Sequence, residues 1–245
     1  MSGARKPYGV GLMEDQSFEF PRFICVSGLI GVGKSTFTTK LAAHLGYEPF
    51  YEPVDENPYL ELFYKEPTKY AYPMQEWLKH RRFAAYQAAT WGIRAGRFKG
   101  VVMDRSIHED TVFAEINAKI GTIDALNFGT YLQGFQDFQI FCPEPDVYVY
   151  LDATPEECHK RILERARPAE QQTGFDGAPG DAQAGIPLDY LRTLYQGYQD
   201  WLKVISPRIP TVKLDWSQYK TVEQAWKWVE SQIDRRSRFT RSLVI

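Results

Sequence analysis

Gly28-Leu29-Ile30-Gly31-Val32-Gly33-Lys34-Ser35 follows the apolar run Phe23-Ile24-Cys25-Val26 and leads into Thr36-Phe37-Thr38-Thr39-Lys40-Leu41-Ala42-Ala43-His44-Leu45, where apolar residues recur at helical spacing. Strand, glycine-rich turn, then helix is the setting of a phosphate-binding loop. Glycines let the backbone curl so that successive N–H groups point at one anion, and the helix N-terminus adds about half a positive charge behind them. Lys34 can reach the β- and γ-phosphates, and the Ser35 hydroxyl can ligate Mg²⁺. Such a loop says that a nucleotide binds. What accepts the phosphate is written elsewhere.

Working outward, the first strand is expected over Arg22–Ser27 and the first helix over Gly33–Leu45, closed by Gly46 as a C-cap. Tyr47–Tyr51 reads as a short second strand, Asn57–Tyr64 as a short helix, and Tyr72–Phe98 as a long one. Gly100-Val101-Val102-Met103 is a third strand, followed by helices over Ile107–Ile120 and Ile123–Phe141. Asp146-Val147-Tyr148-Val149-Tyr150-Leu151-Asp152 is a fourth strand, buried in character. Thr154-Pro155-Glu156-Glu157 gives the next helix its N-cap, a proline at its first position and acids in its first turn; that helix runs to Arg165. Helices over Pro187–Val204 and Val222–Ile233 enclose a fifth strand, Thr211–Leu214. Strands alternating with helices predict an α/β fold with a parallel sheet covered on both faces.

With 245 residues, 44% of them hydrophobic, the chain suits one domain of ordinary α/β size. We divide it into a flexible N-terminal arm (1–21), a single domain (22–234) and a C-terminal tail (235–245). A net charge of −2 gives no polybasic footprint, which argues against a nucleic-acid polymer or an anionic membrane as partner. No run approaches the ~18 apolar residues of a membrane span, and no signal or transit peptide is visible. Cys25, Cys142 and Cys158 are scattered, without metal or disulfide spacing. The expected location is the cytoplasm.

In an open parallel sheet, ligands lie beyond the carboxyl ends of the strands. Three of the strands end in chemistry: the phosphate loop, the free carboxylate Glu52, and the acid–cation pair Asp104-Arg105. Phosphoryl transfer needs this set: a metal-neutralised donor, a group to orient and deprotonate the attacking oxygen, and cations for the spread charge. Asp104 would hold Mg²⁺, and Arg105 would lie beside Glu52. On the long helix Gln75 and Arg82 are two turns apart and share a face. The Gln75 amide suits a nucleobase edge, and Arg82 is placed to pair with Asp110.

These residues resemble the deoxyribonucleoside kinases, and most the branch that accepts deoxycytidine, deoxyguanosine and deoxyadenosine. The similarity runs from Arg22 to Ile233. It is carried by Gly28 to Thr36, Glu52-Pro53-Val54, Tyr64-Lys65-Glu66-Pro67, Met74-Gln75, Asp104-Arg105-Ser106, Tyr150-Leu151 with Ala153-Thr154-Pro155-Glu156, the arginines Arg161, Arg165 and Arg167, and Gly185-Ile186-Pro187-Leu188-Asp189-Tyr190-Leu191. The resemblance implies a P-loop kinase fold with five parallel strands and an arginine-bearing lid over about 161–186. It implies Mg²⁺, ATP or another NTP as donor, a deoxynucleoside as acceptor, and a homodimer. Glu52 would be the base for the sugar 5′-hydroxyl, with Arg105 beside it. Tyr64 and Glu170 would hold the 3′-hydroxyl, Gln75 and Met74 would border the base, and Phe113 would stack on it. Arg82 and Asp110 match the pair that faces the base in members accepting purines and cytosine. Lys34, Arg161, Arg165 and Arg167 would contact the phosphates. About a dozen residues near Gln172 to Ala184 are inserted before Gly185 relative to that pattern.

Thymidylate-type kinases also combine a phosphate loop, Glu-Pro and Asp-Arg, but they commonly carry an arginine where this chain has Tyr51. A non-catalytic subunit of this fold would be expected to lose Lys34, Glu52 or the arginines, and all are present. The fourth strand is not followed by an Asn-Lys-x-Asp guanine motif, which argues against a GTPase.

Overall fold

β1 (Phe23–Gly28) is buried at every position because it is flanked on both sides. In the computed structural model, which describes residues 21–54, 56–165, 186–217 and 221–241, β1 pairs in parallel with β3 (Val101–Asp104) and β4 (Val147–Asp152). β2 (Glu48–Phe50) adds to β3 and β5 (Thr211–Asp215) to β4, giving one parallel sheet in the order β2-β3-β1-β4-β5. The register sets Cys25 beside Met103 and Tyr148, so Phe23, Cys25 and Tyr148 share one face and Ile24 and Val26 the other.

Helices cover both faces. α1 (Lys34–Leu45) lies against β1, β2 and β3, beside α8 (Val222–Arg241). On the opposite face Tyr86 of α3 (Pro67–Arg94) covers Phe23, and Trp201 of α7 (Leu188–Ile205) covers Tyr148. α4 (Asp110–Lys119) packs on α7, on α3 and on α5 (Ala125–Gln139), and α6 (Pro155–Arg165) packs on α7. α2 (Leu60–Lys65) sits on α3.

Several boundaries differ from the spacing. α3 starts at Pro67 rather than Tyr72: proline at the first helical position removes an N–H that has no partner there anyway. The helix also runs through Pro73. It ends at Arg94, not Phe98, because Gly96 turns to φ +68 and the Arg97 and Phe98 N–H groups fold back onto the Gly92 carbonyl. The stretch after β3 opens with a 3-10 turn, Ile107–Glu109, set by a reciprocal cap between Ser106 and Glu109. α2 begins at Leu60, since Asn57 Oδ1 accepts from the Tyr59 N–H in a preceding turn. α8 continues past Ile233 to Arg241, with neither Gly nor Pro to stop it. Gly46 and Thr154 cap their helices as expected.

Candidate functional site

The carboxyl ends of β1, β2 and β3 open into one cavity of about 880 Å³, its mouth included. It is lined by Gly31, Lys34, Ser35, Glu52, Tyr64, Met74, Gln75, Arg82, Asp104, Arg105, Phe113 and Arg165, all expected from the sequence. Val54, Asn57, Leu60 and Tyr190 join them.

The phosphate loop is shaped by close approach. Gly31 has φ +81, and a Cβ there would lie 2.7 Å from both the Cys158 carbonyl oxygen and Ile162 Cγ1. A Cβ on Gly28 would meet the Leu151 carbonyl oxygen at 2.6 Å. The loop is thus clamped onto β4 and α6, and Gly33 hands it to α1 at φ +101. Arg161 adds to the clamp, donating to the Val32 carbonyl oxygen at 3.0 Å and pairing with Glu157. Thr36 is exposed in the first turn of α1.

Lys34 curls over the loop and donates to the Leu29 carbonyl oxygen at 2.8 Å. Burial, then the nearby Arg105 charge, lower its pKa to about 8, against the pull of Asp104 and Glu52. Ser35 Oγ donates to Asp104 Oδ2 at 2.5 Å, while the buried Asp104 Oδ1 has no partner. Burial raises the Asp104 pKa. An orphaned carboxylate oxygen beside a hydroxyl and a phosphate loop fits a hard cation such as Mg²⁺, which takes few protein ligands and fills the rest with phosphate and water.

Glu52 is not the free carboxylate that its strand-end position suggests. Arg82 pairs with Oε1, and Arg105 Nε donates to Oε2 at 2.8 Å. Burial alone would raise its pKa, but Arg82, Arg105 and Lys34 outweigh that and hold it at about 2. Arg82 reaches Asp110 with its other nitrogen, as its position on α3 predicted. Arg105, at the left-handed φ of +66, stacks on the Phe113 ring at 4.7 Å.

Gln75 is 1% exposed, and neither its Oε1 nor its Nε2 has a hydrogen-bond partner. Tyr64 and Met74 are buried at the same wall. Arg167 and Glu170 lie outside the described residues.

Three supporting residues escape sequence reasoning. Glu109, fully buried, accepts from Ser27 Oγ at 2.6 Å and the Ser106 N–H at 3.0 Å, and stands 3.6 Å from Arg105. Tyr198 bonds Arg105, and Tyr131 bonds Asp110. Tyr198 falls on the apolar stripe Leu191, Leu194, Tyr198, Leu202 of α7 and so looks like ordinary core. Only the reciprocal spacing of Ser106 and Glu109 was a signal, and it marks a helix cap rather than a site.

A five-stranded parallel sheet with this loop between β1 and α1 is a P-loop kinase fold. Comparison with known proteins narrows the class. The family model for deoxynucleoside kinase matches residues 24–236, and the chain belongs to that family; it is a deoxynucleoside phosphotransferase. It is 34% identical to deoxyadenosine kinase of Dictyostelium discoideum over 86% of this chain and 79% of that protein. It is also 34% identical to deoxyadenosine/deoxycytidine kinase of Bacillus subtilis, over 78% and 81% of the two chains. Deoxyadenosine kinase from M. mycoides, solved with products dCMP and a flexible dCDP bound, superposes with a TM-score of 0.66 at 25% identity, covering 90% of this chain and 99% of that one.

Proposed function

We propose that this enzyme transfers the γ-phosphoryl group of ATP, or another NTP, to the 5′-hydroxyl of a 2′-deoxyribonucleoside, and that it prefers purine nucleosides or deoxycytidine to thymidine. The observation that carries the reading of a nucleoside acceptor is Gln75. A buried amide with both atoms unpaired is costly in the empty protein, and a nucleobase edge can satisfy donor and acceptor together. The Arg82–Asp110 pair supports the choice of base, and so do the substrates in the names of the two relatives described above. Phe113 offers a ring beside them, and Tyr64, with Glu170, is assigned to the 3′-hydroxyl.

Glu52 accepts the hydrogen bond of the 5′-hydroxyl and takes its proton as the new P–O bond forms. A carboxylate with a pKa of about 2 is a weak base. That is sufficient here, because a loose phosphoryl-transfer transition state asks for little proton removal before bond formation. Its two arginines fix the carboxylate's direction. Lys34, Arg165 and Arg167 meet the phosphate charge, Arg161 braces the loop that holds it, and Gly28 to Thr36 supply backbone donors. Ser35 and Asp104 would hold Mg²⁺, which supplies charge neutralisation between the donor phosphates. A homodimer fits the exposed apolar Leu126, Ile140 and Phe141 in and just beyond α5. The cytoplasm fits three free cysteines, and among the described residues no helix is long and apolar enough to cross a membrane.

The test is a panel of four deoxynucleosides with Mg-ATP, run on the native enzyme and on Gln75→Leu. In the native enzyme thymidine is expected to have the lowest kcat/KM; thymidine at the top overturns the base assignment. Gln75→Leu is expected to lower kcat/KM by about 10²-fold or more, because the base edge is left unpaired. The same substitution should leave the empty protein as stable or slightly more so, since it removes the unsatisfied amide. A loss of stability with unchanged kcat/KM would make Gln75 a packing residue.

Lys34 sets a pH signature. Its folded pKa of about 8 lies below its ordinary 10.5. The profile of kcat/KM for ATP, which reports the free enzyme, is therefore expected to fall as pH rises through 8. The profile of kcat should hold to higher pH, because donor phosphates restore the charge on Lys34. The sign for stability is opposite. Between pH 8 and 10.5 the unfolded chain binds the proton and the folded one does not, so this group's penalty is relieved as pH rises across that window.

A further inference from the structure

Lys79 is a lysine with no place in the chemistry, yet it is 2% exposed. Its Nζ passes from α3 into α5, where it donates to Glu76 Oε1 at 2.8 Å and to the Tyr131 carbonyl oxygen at 3.2 Å. It also lies 4.4 Å from the centre of the Tyr131 ring. Space for it comes from Gly134, where a Cβ would stand 2.8 Å from the ammonium. Tyr131, itself fully buried, directs its hydroxyl at Asp110, bonding the carboxylate and lying 3.3 Å from the backbone carbonyl oxygen. Asp110 holds Arg82, and Arg82 holds Glu52.

We infer that Tyr131 is a positioning residue for nucleoside selection, fixing Asp110 and through it Arg82, and that Lys79 seats Tyr131 from α3. The inference rests on the reading of Arg82 and Asp110 as the pair that faces the base. A carboxylate has two oxygens and several acceptor directions. With Arg82 on one oxygen and Tyr131 on the other, Asp110 has one orientation, and the guanidinium plane follows it. Burial keeps the Tyr131 phenol protonated far above neutrality, so its hydroxyl remains a donor throughout the working range. α5 thereby takes part in base choice without touching the cavity.

The experiment compares native enzyme, Tyr131→Phe, Lys79→Met and Arg82→Met by steady-state kinetics on deoxyadenosine, deoxyguanosine, deoxycytidine and thymidine with Mg-ATP, beside thermal scans. Tyr131→Phe keeps the ring and loses only the hydroxyl. Its ratio of kcat/KM for the best nucleoside to that for thymidine is expected to fall about tenfold, the size expected for one hydrogen bond to a charged group, and mostly through KM. A merely structural role would lower the melting temperature and scale all four nucleosides alike. A ratio unchanged in Tyr131→Phe, while Arg82→Met shifts it, overturns the inference and leaves the base assignment standing. A ratio unchanged in both removes the base assignment and the inference with it. Should Tyr131→Phe fail to fold, Lys79→Met decides by the same ratio: a shift in the same direction supports the inference, and an unchanged ratio overturns it.

Discussion

Glu52→Gln is expected to bind nucleoside and turn it over about 10²–10⁴-fold more slowly, the usual cost of losing a general base. Gln keeps an acceptor for Arg105 and loses the charge that Arg82 and Arg105 face. Calorimetric binding beside single-turnover kinetics separates the two effects. Turnover within a few-fold of native would remove Glu52 from the chemistry. Acid supplies an independent check. The folded pKa of about 2 lies below the ordinary 4.5, so the ionised carboxylate contributes stability that is fully present above pH 4.5 and lost as pH falls toward 2. The stability gap between native and Gln variant should therefore close across that interval. No acid limb from Glu52 should appear in the free-enzyme rate profile above pH 4.

Arg105→Met is expected to show the largest loss of stability of any single change at the site. Arg105 is buried against Glu52, Glu109 and Tyr198, with Phe113 beneath it. Burial opposes its charge, but Tyr198, Glu52, Glu109 and Asp104 keep it protonated. Methionine preserves most of the volume and leaves two buried carboxylates short of a counter-charge. Breaking a buried pair from one side typically costs about 3–5 kcal/mol. Urea unfolding measures this, and a loss under about 1 kcal/mol would show that the carboxylates find other partners. Arg105→Lys should recover part of the stability but little of the turnover, since an ammonium cannot reproduce the fork that reaches Glu52 and Tyr198.

The strands and the phosphate loop are legible in the sequence because each rests on local pattern. Val147–Leu151 cannot be other than buried, and Gly31 and Gly33 sit where the backbone takes positive φ. The start of α3 is read five residues late, because Pro67 opens the helix at a position where its missing N–H costs nothing, while Pro73 falls inside the expected helix as it does in the observed one. The site is legible up to the identity of its charged residues. Spacing places Gln75 and Arg82 on one face but not the distance from Arg82 to Glu52, which depends on how α3 crosses the end of β2. Tyr131 and Tyr198 are hidden because a tyrosine on an apolar stripe looks the same whether its hydroxyl caps a carboxylate or meets solvent.

The position of β1 between β3 and β4 also has a consequence in time. Ile24 stands in register with Val102 on one side and Val147 on the other. A ribosome adds roughly 5–20 residues per second, so β1 leaves the tunnel on the order of ten seconds before its second neighbour has been made. Until then at least one of its backbone edges is a template for pairing with other chains. The carbonyls that close on Gly28 and Gly31 belong to Leu151, in β4 itself, and to Cys158, which is made after it. The phosphate loop can therefore take its final packing only once Cys158 has been made, well after its own residues have left the ribosome.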